Sequence, residues 1–268
     1  MDNPFLKIYQ DLKERGKLVS PRGEKVLEIE NYSFDLHPFT RFINFVHRKL
    51  NINYIKREML WYLRGDKHDT SITEHAKLWT KMINDYGVIN SNYGQYIFYK
   101  CKPHNTVSQF DQVVKVLSQD KDSRRAVISI LNQQNVLSGD VDLCCTYALN
   151  FRIRNDKLNM TVRMRSNDAI YGLGNDIAAF SFIHEMVYIS LKMFYPDLEL
   201  GNYHHSADSF HIYEKHWKML DDIIKDPSYI DINCPKISNV DEVNFLVGGK
   251  FDNIPEGYLF TKWLHEYD

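Results

Sequence analysis

From Asp176 the chain runs DIAAFSFIHEMVYISLKMF, apolar on nearly every side. At 3.6 residues per turn this is about five turns of helix with no wide polar face, and such a helix persists in water only when other elements surround it. Just upstream, TYALNFRIRNDKLNMTVRMRS alternates apolar and polar residues in two runs separated by the polar turn RNDK. That is the pattern of two antiparallel strands with one buried face. A helix that must be covered, next to strands that must be backed, predicts an α+β fold in which a sheet packs on a buried helix.

The remaining segments extend this picture. Residues 3 to 15 read as a helix, and KVLEIENYSFDL after the SPRG turn alternates as a half-buried strand does. Residues 41 to 63 carry apolar residues at helical spacing and stop at Gly65. RAVISIL (125 to 131) has the composition of a buried strand, whereas the last 40 residues give only weak short-strand signals. With 268 residues and no Pro/Gly/Ser-rich linker, one domain over 1–268 is expected.

A formal net charge of −2 with both signs interspersed provides no bulk footprint for nucleic acid or a membrane surface. An anionic partner should therefore be small and held by a local cluster. The first residues lack the apolar core of a signal peptide, which predicts a cytoplasmic protein. Cys101, Cys144, Cys145 and Cys234 lack metal-ligand spacing, so four thiols, no metal and no disulfide framework are expected.

The stretch DLCCTYALNF places Cys144 and Cys145 at the mouth of a strand. Taken alone, a cysteine there is most simply a small buried hydrophobe. Four arginines that no core requires point elsewhere: Arg22 in SPRGE, Arg124 and Arg125 in KDSRRAV, and Arg165 in RMRSND. Converging guanidinium forks suit a phosphate dianion and favour a neighbouring thiolate.

In order and spacing, REMLWYLRGD, LW, NYG, DSRR, CCTYALNF, RSNDAIYGLGNDIA and HIY resemble the thymidylate synthase superfamily from about residue 20 to about 215. The resemblance implies a mixed β-sheet that forms a dimer interface and packs on a long central helix. It also implies that the nucleophile stands five residues before Asn150-Phe151, which selects Cys145 over Cys144. Alternation along a strand agrees, since only one of two neighbours can face a site. By the same motif match, Arg22, Arg165 and Ser166 would bind the phosphate of a pyrimidine 5′-monophosphate, with Asn150 also in the substrate set. Arg124 and Arg125 would reach that phosphate from the other protomer of a homodimer. Glu58 would organise water and proton transfer, Tyr93 would lie near C5, and His211 with Tyr213 would hold the sugar 3′-hydroxyl. Asp168, Trp79 and Glu58 would hold the co-substrate, 5,10-methylenetetrahydrofolate. Trp61 reads as a core residue.

One position departs from the thymidylate synthases. Where they carry the asparagine that reads uracil, this chain has Asp176 in GNDIA. A carboxyl that shares a proton with N3 accepts from the 4-amino group of cytosine and bonds N3 as well, whereas it opposes the O4 lone pairs of uracil. Thr146 after the cysteine, SNYG and RSND also resemble the deoxycytidylate hydroxymethylases of bacteriophages with modified cytosine. That resemblance implies water attack on a C5 methylene, giving 5-hydroxymethyl-dCMP and tetrahydrofolate, with Glu58 as base. A dCMP or dUMP methyltransferase, a CMP hydroxymethylase and a non-catalytic nucleotide- or RNA-binding relative are the alternatives.

Overall fold

A computed structural model describes residues 3–99 and 107–267. Cys101 lies outside them, and the other three cysteines are free thiols. Nine α-helices are described: Pro4–Arg15 (α1), Ile52–Arg64 (α2), Gly94–Ile97 (α3), Gln109–Gln119 (α4), Gln133–Ser138 (α5), Gly172–Lys192 (α6), Trp217–Lys225 (α7), Val240–Val247 (α8) and Leu259–His265 (α9). Six strands, Lys17–Val19 (β1), Val26–Leu36 (β2), Val127–Ser129 (β3), Thr146–Arg154 (β4), Lys157–Asp168 (β5) and Glu199–Tyr213 (β6), form one sheet. Its order is β1-β2-β6-β5-β4-β3, with β5 and β6 parallel and every other pair antiparallel.

The hairpin β4–β5 turns at Asn155 and Asp156, both with positive φ (51° and 55°). Two left-handed residues match the twist of flanking strands, and Asn and Asp adopt that region most readily among residues with a side chain. α6 is buried on most of its circumference, from Leu173 through Leu191. It begins at Gly172, four residues before the apolar run, because the Asp168 carboxylate accepts from the amides of Tyr171 (2.8 Å) and Gly172 (3.2 Å). These are amides that a helix start leaves without intrahelical partners.

Three expectations need correction. Within the segment 41–63 only residues from 52 onward are helical, in α2. Upstream, the backbone pairs with a distant strand-like segment: Val46 N–H donates to Ser228 O (2.9 Å) and Ile230 N–H to Asn44 O (3.0 Å). The buried Phe42, Ile43 and Phe45 are packed by that pairing instead of by helical periodicity. The run 125–131 is a strand only over β3, which is a sheet edge with Val127 and Ser129 exposed. Among the described residues, the C-terminal 40 hold α8 and α9 and no strand. α8 starts where Asn239 Oδ1 accepts from Glu242 N–H (3.0 Å), a cap-to-third-residue spacing that marks a helix start. Buried Glu242 then accepts from the amides of Ser238 (2.7 Å) and Thr261 (2.9 Å), tying the two ends of this region together.

Candidate active site

The site forms where α2, the loop before β4, the end of β5 and the start of α6 meet. α2 ends at Gly65, whose left-handed φ of 61° lets its amide return to Tyr62 O (3.0 Å). Against α2 lies Gly94; a Cβ there would stand 2.0 Å from Tyr62 O. That close approach seats Tyr93 on α2, its ring stacked between Tyr62 (5.5 Å) and Phe180 (5.9 Å).

The cysteine loop is clamped from both sides. On one side Ser91 donates to the Asp142 carboxylate from its amide (2.7 Å) and its hydroxyl (2.6 Å). On the other, Arg165 Nε donates to Cys144 O (3.0 Å) and Nη2 to Leu143 O (2.5 Å). A register shift between Thr146 and Ala148 follows at once. Such a bulge, next to an unpaired loop, lets a strand re-aim its first side chains.

Cys144 and Cys145 face different surroundings. Cys144 is fully buried, its thiol donating to Asn90 O (3.1 Å), and burial pushes it up to about 12. Cys145 is half-buried, with Sγ 3.6 Å from Arg165 Nη2. Burial pushes the Cys145 thiol up to about 11; the Arg165 guanidinium pulls it down, Asp176 and Asp142 oppose that, and Arg22 assists it. Among the described residues Arg165 Nη1 makes no hydrogen bond, leaving donors for an anion.

Two carboxyl groups share the floor of the site. Glu58, 6 % exposed, accepts from Tyr54 Oη (2.8 Å), which in turn accepts from Trp79 Nε1 (2.8 Å). Burial pushes Glu58 up to about 7, with the Tyr54 bond pulling the other way. Asp176 accepts from Asn167 Nδ2 (2.8 Å). Its carboxyl is raised well above the carboxylate range by burial and by the negative charge of Glu58, against the Asn167 bond. Two acids in mutual range release their protons as a pair and not independently.

Several expected residues converge here: Cys145, Arg165, Glu58, Tyr93 and Asp176, with Arg22 within electrostatic range of Cys145 from an exposed turn. Ser166 and Asp168 end β5, paired in register with Ser209 and His211 of β6. The His211 and Tyr213 rings stand edge to face 5.2 Å apart. Trp79 is half-buried beside Trp61 (5.6 Å), and Trp61 is fully buried with Nε1 on Asp69 O (2.6 Å). Arg124 and Arg125 are exposed, and neither is among the charged groups acting on Cys145 within the chain. With Asn150, Arg152, Arg154 and Asn159, Arg124 lines a separate cavity of about 450 Å³. The Tyr54 contact was predictable, since it stands one helical turn before Glu58. Asn167 and His205 had no local signal.

Among the described residues no helix is long and apolar enough to cross a membrane, and no three His, Cys, Asp or Glu side chains are grouped to hold a metal.

Comparison with known proteins bears on this arrangement. Residues 3–247 match the family model described as thymidylate synthase. The deoxycytidylate 5-hydroxymethyltransferase of Enterobacteria phage T6 is 30% identical over 217 residues, covering 78% of this chain and 85% of that protein. The deoxyuridylate hydroxymethyltransferase of Bacillus phage SP01 is 27% identical over 78% of this chain and 56% of its own length. A thymidylate synthase of Buchnera aphidicola is 25% identical, covering 77% of each.

Proposed function

Because the chain belongs to the thymidylate synthase family, a family of one-carbon transferases acting on pyrimidine nucleotides, we propose that it hydroxymethylates dCMP at C5. The observation that carries this reading is the Asp176 carboxyl, half-buried, hydrogen-bonded by Asn167 and pushed upward by desolvation and by Glu58. Such a group accepts from a 4-amino group and donates to N3, which is the complement of cytosine. With the proton held on the oxygen that faces N3, the same edge set against uracil opposes lone pairs at O4 and hydrogens at N3, a mismatch costing about 1–3 kcal/mol. The similarity to both deoxycytidylate and deoxyuridylate hydroxymethyltransferases leaves the base choice to this position.

In this reading Cys145 adds to C6 of the base, making C5 nucleophilic, and Cys144 serves only to pack. Arg165 Nη1, Arg22 and Ser166 hold the 5′-phosphate, and His211 with Tyr213 hold the sugar. Methylenetetrahydrofolate fits as the co-substrate. Trp79 offers a ring face because its indole N–H is already committed to Tyr54, and Asp168 offers a carboxylate at the rim. It supplies the one-carbon unit. Glu58, held near neutral pH at the point where it can release or take a proton, draws the proton from the water that becomes the new hydroxyl.

A thiol held up to about 11 needs more positive charge than Arg165 and Arg22 provide. Arg124 and Arg125 of the partner subunit in a homodimer are suited to supply it. Asn150 lines the Arg124 cavity and not the Cys145 site, so its place in the substrate set rests on the resemblance alone.

The test is mass spectrometry of the product from dCMP and methylenetetrahydrofolate. A hydroxymethyl group is expected; a methyl group would replace this reading with a methyltransferase. Tritium release from [5-³H]dUMP but not from [5-³H]dCMP would overturn the base assignment.

A further inference from the structure

Beneath Asp176 lies a hydrogen-bonded chain that the reaction itself does not use. Tyr203 Oη meets His205 Nδ1 (3.0 Å), His205 Nε2 meets Asn167 Oδ1 (3.1 Å), and Asn167 Nδ2 donates to Asp176 Oδ2 (2.8 Å). All three supporting residues are buried: Tyr203 and His205 are 0 % exposed and Asn167 is 3 % exposed. His205 is stacked between Phe34 (5.0 Å) and Tyr203 (5.9 Å). Burial lowers its ring to about 3, so it is neutral and carries a single N–H.

A neutral imidazole and a primary amide can be strung together in two directions. In the first, Tyr203 donates to Nδ1, Nε2–H donates to Asn167 Oδ1, and Asn167 donates to Asp176. In the second, every bond is reversed and Asp176 must donate to Asn167. The far end decides between them. Among the described residues the Tyr203 hydroxyl has no partner other than His205. In the second direction its hydrogen would be buried and unpaired, at a desolvation penalty of the size that native structures avoid. The first direction uses every hydrogen.

We propose that Tyr203, His205 and Asn167 form a positioning relay that makes Asp176 Oδ2 an acceptor and so confines the carboxyl proton to Oδ1, imposing the acceptor-and-donor edge that selects cytosine. Once Oδ2 accepts from Asn167, its remaining lone pair faces the 4-amino group and Oδ1–H faces N3. Reversal of the chain would draw the proton onto Oδ2 toward Asn167, and the edge would lose its donor. The specificity consequence rests on the reading of Asp176 as the base-reading residue; the direction of the relay does not. The charged and titratable groups around Asp176 are Glu58, Tyr54 and Tyr62 of α2, Tyr93, Asp168, Cys145 and Tyr203. Among these groups, none donates a hydrogen bond to Oδ2.

The experiment pairs a spectroscopic readout with a kinetic one on the full-length protein. Long-range ¹⁵N–¹H correlation of His205 without ligand is expected to show the Nε2–H tautomer; an Nδ1–H tautomer would overturn the relay. Tyr203→Phe removes one hydroxyl and keeps the ring stack. It removes the hydrogen that fixes the direction, so His205 is expected to become a mixture of tautomers and kcat/KM for dCMP to fall about tenfold through KM, leaving the dUMP value within about twofold. Asn167→Leu cuts the relay beyond His205, and it is expected to lower the dCMP value in the same way and to raise the ¹³C-observed titration of Asp176. Equal losses for both nucleotides, or an unchanged preference in both variants, would overturn the relay and leave a structural role. If the unmodified protein prefers dUMP, the function proposed above fails, and the His205 tautomer with the Asp176 titration still decides the relay.

Discussion

The hydrogen bond from Tyr54 to Glu58 supplies a quantitative test of the proton chemistry. Tyr54→Phe removes the Oη that stands 2.8 Å from Glu58 Oε1, and with it the acceptor of Trp79 Nε1 (2.8 Å), while keeping the ring. The bond favours the charged form of a carboxyl that burial otherwise pushes up to about 7. A hydrogen bond to a charged group is worth about 1.5–3 kcal/mol, and about 1.4 kcal/mol corresponds to one pKa unit, so its loss should raise Glu58 by about 1–2 units. The sign follows directly: a base must be deprotonated to act, so the acid limb of the activity profile moves to higher pH. The assay is kcat for tritium release from [5-³H]dCMP between pH 5.5 and 9.5, where the unmodified protein is expected to show a limb near 7. At pH 7 the variant should be slower by roughly 5- to 50-fold, and near pH 9.5 it should recover to within about threefold. A limb that stays in place or moves to lower pH would refute the assignment. So would a Glu58→Gln variant that retains the limb.

Three further outcomes are expected. Cys145→Ser should abolish turnover while Cys144→Ser retains most of it, because only Cys145 faces Arg165; the reverse result would reassign the nucleophile. Asp176→Asn should move preference toward dUMP by about tenfold to a hundredfold or more, measured as the ratio of kcat/KM for the two nucleotides, and an unchanged ratio would show that another group reads the base. Glu58 is expected to destabilise the fold at alkaline pH. Its carboxyl rises from 4.5 to about 7 on folding, so stability present below about pH 4.5 is lost as the pH climbs to 7, by up to about 3 kcal/mol. Urea unfolding of Glu58→Gln should therefore show a gain relative to the unmodified protein at pH 9 that vanishes at pH 4.5, and a pH-independent difference would contradict it.

Elements specified by local pattern were legible without coordinates. The hairpin β4–β5 and the helix α6 follow from period-2 alternation and from all-round apolarity. The segment 41–50 was not legible, because its helical spacing of apolar residues is satisfied by packing against residues 228–230, far away in the chain. α8 and α9 were missed for a related reason. They are short, and the buried Glu242 that joins them reads as a surface charge until Ser238 and Thr261 are seen to donate to it.

The candidate site divides along the same line. The resemblance to thymidylate synthases is what prefers Cys145 to Cys144 and marks Asp176 as the departure that bears on the base; strand alternation, a local rule, adds only that one of the two cysteines can face a site. Whether that carboxyl holds a proton, and on which oxygen, is decided only by tertiary structure. Burial beside Glu58 sets the first. A relay through Asn167 of β5 and His205 of β6, strands brought side by side by a parallel pairing across α6, sets the second. Desolvation and hydrogen-bond direction depend on what surrounds a group in space, and no spacing along the chain encodes them.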